Sequence, residues 1–289
     1  MLRITDARTG GLVTATPARR GLTRVEAHVP RPDTTGLRVL LIADVLVRAL
    51  EIGGTPVWTV LTGTERRAEL RARATALGIR PFEDERDSSP GLGEAQVLRV
   101  CGPAGVTGSD EPAGHEAAGG EAADGGTTAE EAAEEANGEA NGEANDEAAD
   151  GGVARGLHIA VAPADVESGV ADDEESATAL RFALLARPRG EALRLGATDL
   201  AEAEDHLRHW RGAVATWATR PSGPIPDPVR EQLRAAWEAD LDVPAVLDVL
   251  RKVETSGTVP DGARFETYAY ADRLLGLELT RDIGRGAPA

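Results

Sequence analysis

Hydrophobic and polar positions fall into two regimes along this chain. In the first hundred or so residues the spacing switches between strand-like and helix-like, which predicts strands and helices in alternation. Residues 2–4 and 12–16 predict a short β-hairpin. Residues 37–52 are apolar except for Arg38, Asp44, Arg48 and Glu51 on one face, the pattern of a helix packed on a sheet and ended by Gly53 and Gly54. Residues 55–61 predict a strand buried on both faces in its middle. Residues 64–77 predict a second helix, with Thr64 as its N-cap and Gly78 as its stop. Residues 96–101 and 157–162 supply two further strands. Helices set between strands argue for an α/β fold with a parallel, doubly wound sheet.

In the second regime the spacing is helical throughout, over residues 174–187, 198–219, 227–240, 243–255 and 264–275. Asp227 followed by Pro228 reads as an N-cap with proline at the first helical position. The short loops suggest an antiparallel bundle. Between the regimes, Glu135 opens a Glu-Ala-Asn-Gly repeat. No Lys or Arg occurs between Arg99 and Arg155, whereas fourteen Asp and Glu do, so this segment carries most of the net charge of −18. It offers no large apolar residues for burial and is expected to be a disordered acidic insert, with His115 solvated inside it. The expected organisation is an N-terminal α/β part at 1–101, the insert at 102–154, a returning strand and linker at 155–173, and a helical bundle at 174–289.

Composition narrows the functions. An apolar fraction of 41% suffices for a core, and an aromatic fraction of 3% makes that core mostly Leu, Val and Ala. The single cysteine, Cys101, forbids an internal disulfide. Outside the acidic segment the chain is close to neutral and lacks the basic field that phosphate-backbone binding needs, so tRNA is not an expected partner. Lys252 is the only lysine among 31 basic side chains, which reads as the codon bias of a GC-rich, actinobacterial-type genome. Residues 1–19 hold no apolar stretch of an export signal, and no run reaches the ~18 apolar residues of a membrane span; the expected location is the cytoplasm.

The chemistry-bearing residues each carry a structural reading. His28 and His158 are lone histidines on strands and are read as hydrogen-bonded core or rim residues. His206 and His209, with Glu202 and Asp205, have helix spacing that can hold a metal, but on an amphipathic helix they are read as its solvated face. Cys101 adjoins Gly102-Pro103 without a basic neighbour and is read as a buried or loop thiol. Trp210, Trp217 and Trp237 sit at core positions, and Arg187 and Arg189 are read as surface arginines. Gly-x-Ser-x-Gly is absent, and Gly91-Leu-Gly93 lacks the third glycine of a dinucleotide fingerprint.

Several segments, in order, resemble class I cysteinyl-tRNA synthetases and their relative, the cysteine ligase of mycothiol biosynthesis. Ala179-Leu-Arg-Phe-Ala-Leu-Leu-Ala186, with Leu200-Ala-Glu-Ala-Glu and Leu207-Arg-His-Trp-Arg-Gly-Ala-Val214, resembles the helix pair after that family's adenylate loop, and the mycothiol branch most of all. Trp237-Glu-Ala-Asp-Leu-Asp-Val-Pro-Ala-Val-Leu247 resembles its Asp-Asp-Leu-Asn/Asp-Thr-Pro-Ala stretch, and Ala271-Asp-Arg-Leu-Leu-Gly-Leu277 its closing helix. In the N-terminal part, residues 2–17, 24–30 and 38–50 resemble the opening strands and first helix of its Rossmann-type domain, and Ala76-Leu-Gly-Ile-Arg-Pro81 a later segment. The resemblance covers roughly two-thirds of the chain. It implies a trimmed Rossmann-type domain followed by a helical bundle.

The departures from the family bear on function. Where the resemblance implies a His-Ile-Gly-His signature, the chain has Pro32-Asp-Thr-Thr-Gly36. Where it implies a Lys-Met-Ser-Lys-Ser loop, the chain has Pro163-Ala-Asp-Val-Glu-Ser168, acidic where adenylate formation needs positive charge. His28 falls where the first zinc-binding thiolate is implied. Too little chain lies between Pro90 and Glu174 for the family's second nucleotide-binding half. The expectation is a catalytically degenerate relative acting as a binding or regulatory protein, with no cofactor and an unidentified protein partner. Its candidate residual pocket for a small anion or nucleotide fragment is His28, Asp33, Thr34, Thr35 and Arg38 at a helix N-terminus. One alternative is an ATP-dependent cysteine ligase with replaced catalytic groups, arginine standing in for lysine and ATP or zinc as cofactor. The other is a structural interaction module.

Overall fold

The computed structural model of the chain describes residues 1–17, 21–63, 66–84, 94–106, 156–167 and 174–285. All lie in one compact unit that takes in Met1–Gly108 and Val153–Ala289. Of the insert expected at 102–154, residues 102–106 are described and hold a short helix, while the remainder, with His115, and the Thr64 cap fall outside the described residues.

The chain opens with an antiparallel hairpin, β1 (Arg3–Thr5) against β2 (Leu12–Thr14). Strand β3 (Leu22–His28) leads into helix α1 (Thr34–Ile52), then β4 (Val57–Thr62), α2 (Arg67–Ala76) and β5 (Glu83–Asp84). Strand β6 (Glu94–Cys101) is followed by the short helix α3 (Pro103–Val106) and, later, β7 (Leu157–Ala160). These five strands after the hairpin form one parallel sheet in the order β5-β4-β3-β6-β7. Counted from β3, that is the 3-2-1-4-5 arrangement of the Rossmann fold. Strand alternation gives β3 two distinct faces. Thr23, Val25 and Ala27 are fully buried on one. On the other, Glu26 pairs with Arg24 at 2.7 Å and with Arg99 of β6 at 2.9 Å.

Helix α1 is the spine of the molecule. It packs on β3, β4 and β6 and also touches α2 and α8 (Asp261–Leu275). Its start is pinned by Asp33, whose Oδ1 accepts from Gly36 N at 2.8 Å. Gly36 is required there: a Cβ would lie 2.2 Å from the Arg31 carbonyl oxygen and 2.6 Å from Val29 Cγ1. Gly53 and Gly54 end the helix as the sequence predicts, Gly54 in the left-handed region at φ +79°. Helix α2 starts at Arg67, with Arg66 at the cap position and no side-chain cap bond, and Gly78 (φ +66°) stops it.

The second half adds β8 (Ala164–Val166), α4 (Glu174–Leu185), β9 (Leu193–Leu195), α5 (Ala197–Trp217), α6 (Asp227–Glu238), α7 (Val243–Thr255) and α8. The parallel β8–β9 pair was not legible from spacing, because each strand is only three residues long. Helix α4 packs on α5, α6 on α7, and α8 on α1, α5 and α7. Trp210, Trp217 and Trp237 are core residues, as expected. Asp227 is not a cap: Pro226 holds that position, Asp227 is the first helical residue, and its side chain makes no capping bond. Asp242 is a true cap, accepting from Ala245 N at 3.0 Å at the start of α7.

Most of the polar stripe of α1 does not face solvent: Arg38 and Asp44 are buried where the second half of the chain docks, and Glu51 at the end of the helix is exposed. Asp44 is 1% exposed and receives Arg48 Nε at 2.9 Å, Arg80 Nε at 3.1 Å and Arg181 Nη2 of α4 at 2.8 Å. Arg181, fully buried, also donates to the carbonyls of Leu275 (2.7 Å) and Leu77 (3.0 Å), tying together α1, α4 and the ends of α2 and α8. Burial by itself would raise the Asp44 pKa, but Arg181 and Arg48 outweigh it and hold the carboxyl below its ordinary value.

Asp44→Asn should therefore cost about 3–5 kcal/mol in denaturant unfolding, since it strands the buried Arg181 charge. A carboxyl depressed in the folded state contributes fully above its unfolded value near 3.8 and loses that contribution as pH falls through the folded value. The wild-type protein should lose stability on acidification in that window, and the variant should lose less of it.

Candidate functional site

In an open parallel sheet the crevice lies beyond the carboxyl ends of the strands, where connections leave in opposite directions. Here that point falls between β3, which continues toward β4 and β5, and β6, which continues toward β7. Register puts His28 at the end of β3 between Thr62 of β4 and Cys101 of β6. A cavity of about 50 Å³ sits at this point, lined by the β3–α1 loop, the first turns of α1 and the segment Gly102, Pro103 and Gly105. The wider mouth beside it, about 600 Å³ and open, is bordered by Pro30–Asp33, Gly63, Arg66 and Glu69.

Of the candidate residues, His28, Asp33 and Thr35 line the small cavity, and Thr34 and Arg38 do not. His28 Nδ1 lies 3.1 Å from Thr62 Oγ1, and the ring packs so close to Gly63 that a Cβ there would be 2.8 Å from Cε1. Asp33 is engaged as the α1 cap, and its other oxygen meets Arg31 Nε at 3.2 Å. Thr35 Oγ1 donates to the Ala164 carbonyl and accepts from the Ala164 amide, both at 3.1 Å. Thr34 is the half-buried first residue of α1.

Arg38 is fully buried and turned away, donating to the carbonyls of Glu191 (2.6 Å), Pro188 (2.8 Å) and Ala162 (3.1 Å). Burial pulls its pKa down while Glu191 opposes the shift. Sequence reading missed Gly102, Pro103 and Gly105. The available signal was that β6 ends just before Gly-Pro, as β3 ends just before Val-Pro.

Of the segment 163–168, where the resemblance implies a lysine-rich loop, the described residues 163–167 contain β8, with Asp165 and Glu167 exposed and Ala164 held on Thr35. The only lysine, Lys252, is exposed in the last turn of α7. Among the described residues no group of three His, Cys, Asp or Glu could hold a metal ion. Cys101 is fully buried, and burial pushes its thiol pKa up, against the thiolate that zinc needs.

The remaining expectations sort by location. His158 is buried, in keeping with its core reading. The His206–His209 set divides: His209 Nε2 meets Glu254 Oε1 at 2.6 Å, whereas His206 is half-buried, stacked on Phe182 (5.2 Å) and edge-on to Trp210 (4.4 Å). Arg189 is no surface residue either, being 10% exposed and bound to Asp240 and to the Ala160 carbonyl. Asp240 (φ +60°) and Leu241 (φ +55°) form a tight left-handed turn, and Asp240 also receives Thr5 N at 2.7 Å and Thr5 Oγ1 at 3.0 Å. The stretch at 237–247 that resembles the synthetase family is thus a structural knot joining the hairpin, β7 and α6–α7.

Strand order and crevice define an α/β protein of the Rossmann type carrying a layer of C-terminal helices. No family model matches the chain. Over 111 residues it is 38% identical to the L-cysteine:1D-myo-inositol 2-amino-2-deoxy-alpha-D-glucopyranoside ligase of Streptosporangium roseum, a stretch covering 37% of this chain and 26% of that protein. The ligase of the same name from Streptomyces griseus is 35% identical over 105 residues, covering 35% and 25%. That from Kribbella flavida is 36% identical over 102 residues, covering 35% and 24%. The chain is a relative of these cysteine ligases, and it spans about a quarter of the length of the curated relatives it matches.

Thr35→Val should remove both bonds to Ala164 and cost about 1–3 kcal/mol. Hydrogen exchange at the Ala164 amide should quicken more than at the α5 amides. Unchanged protection at Ala164 would show that the hydroxyl does not hold β8.

Proposed function

We propose that this chain is a catalytically degenerate relative of the cysteine ligases that acts as a binding or regulatory protein, with a protein as its partner. The observation that carries the reading is the closure of the α1 N-terminus. A phosphate-activating site needs donors aimed outward at developing negative charge. Here Asp33 caps the helix, Thr35 is bonded to Ala164, and Arg38 is committed to three carbonyls deep in the fold. The pocket directly against the α1 N-terminus holds only about 50 Å³, below the roughly 300–1,000 Å³ of small-molecule sites, and the wider mouth of about 600 Å³ beside it presents arginines already paired with carboxylates. The exposed carboxylates of Asp165 and Glu167 would repel phosphate. The residues at His28 and Cys101 do not fit a zinc site, so no step through zinc is drawn.

The second reading is an ATP-dependent ligase using arginine in place of lysine. It draws on Arg31 and Arg66, both exposed beside the open mouth of the crevice. Each is already paired with a carboxylate, Arg31 with Asp33 and Arg66 with Glu69, which leaves little net charge for phosphates.

A thermal-shift series with ATP–Mg²⁺, cysteine, a cysteinyl-adenylate analogue and zinc separates the readings. A ligand at a hundredfold excess over its Kd stabilises by about 2.7 kcal/mol. The proposal expects no shift with any of the four. A clear shift with the adenylate analogue, lost in Arg31→Ala, would favour the ligase.

A further inference from the structure

A second cavity, of about 450 Å³, lies at the far end of α1 from the crevice, between the last turn of that helix, the N-terminal hairpin, α6 and α8. Its volume is within the range of small-molecule sites. The floor is apolar, from the buried Leu2, Ala49 and Leu50. One wall is aromatic: Trp237 and Tyr270 have ring centroids 5.6 Å apart.

The polar groups of this cavity are mostly donors without partners. Trp237 is 3% exposed, yet its indole N–H makes no hydrogen bond among the described residues; nor does the Tyr270 hydroxyl. Trp237 is buried and Tyr270 half-buried, and both keep a donor available to an acceptor placed in the cavity. The hydroxyls of Thr16 and Thr55 at the edge are likewise without partners among the described residues.

Charge at the rim is nearly balanced. Glu238 meets Arg234 Nε at 2.9 Å, and the C-terminal end of α1 adds partial negative charge. A charged ligand would gain little there and lose its hydration.

The geometry points to a binding site for an uncharged aromatic small molecule with hydrogen-bond acceptors, held between Trp237 and Tyr270. This site is independent of the crevice and of the reading given for it. Three probes share one ring and differ in charge: benzamide, benzoate and benzylammonium. The full chain labelled with 5-fluorotryptophan gives ¹⁹F resonances for Trp58, Trp210, Trp217 and Trp237. Trp237→Phe assigns the last of these, and a probe that shifts only that resonance locates the site.

Benzamide should move the Trp237 resonance saturably in the millimolar range, with the two ions at least about tenfold weaker. Tyr270→Phe, which keeps the ring and the fold, should weaken benzamide roughly threefold or more without changing the melting temperature. A Trp237 resonance that benzamide leaves unmoved overturns the site. Equal response to all three probes, or no effect of Tyr270→Phe, overturns the assigned ligand chemistry.

Discussion

Asp44 sits in the middle of an otherwise apolar helix, and the arrangement of the two halves follows from what that one carboxylate requires. A charge at 1% exposure is tolerable only if it is paired and hydrogen-bonded, and Arg48, Arg80 and Arg181 meet that requirement together. Arg181 spends its remaining donors on the terminal carbonyls of α2 and α8, so the end of each helix is fixed relative to α1. Gly276, at φ +60°, lets the α8 terminus approach: a Cβ there would lie 2.8 Å from Arg181 Nη2. Such a cluster gains little net stability over a well-packed apolar alternative, but it admits few other packings of these helices. Arg38 does the same nearer the start of α1, gathering the carbonyls of Ala162, Pro188 and Glu191.

Similar commitments occupy the side chains at the crevice. The strand order places an opening between β3 and β6, where Rossmann-type proteins hold ligands. The side chains nearest it are engaged in holding the fold: Asp33 on its own helix, Thr35 on β8, His28 against Thr62 and the Gly63 backbone. The proposed loss of ligase chemistry and the observed packing are thus one account, in which groups at a substrate position are committed to the scaffold.

Much of the fold was legible because it rests on local periodicity. Helix α7 runs over the predicted residues, α1 and α5 end within a few residues of their expected bounds, and β4, β6 and β7 fall on segments predicted as strands. Partners distant in sequence were not legible. Nothing local distinguishes Arg181 and Arg189, which anchor the interior, from Arg187, which is exposed. The polar face of α1 was visible as a stripe, but its burial depends on residues more than a hundred positions away. The site residues divided for the same reason: Asp33 and Thr35 were placed by the loop they share, whereas Arg38 lies a turn further on and faces the other half of the chain. At 237–247 the stretch that resembles the family holds the left-handed turn at Asp240–Leu241 and the Asp242 cap, which are structural features.

The most direct test of the central claim is cysteine-dependent exchange of labelled pyrophosphate into ATP by the purified full chain. A scaffold whose α1 N-terminus is closed predicts exchange no faster than in the absence of protein. Exchange that requires both cysteine and magnesium and that falls in Arg31→Ala would contradict the account and make the chain a ligase with arginine in the role of lysine.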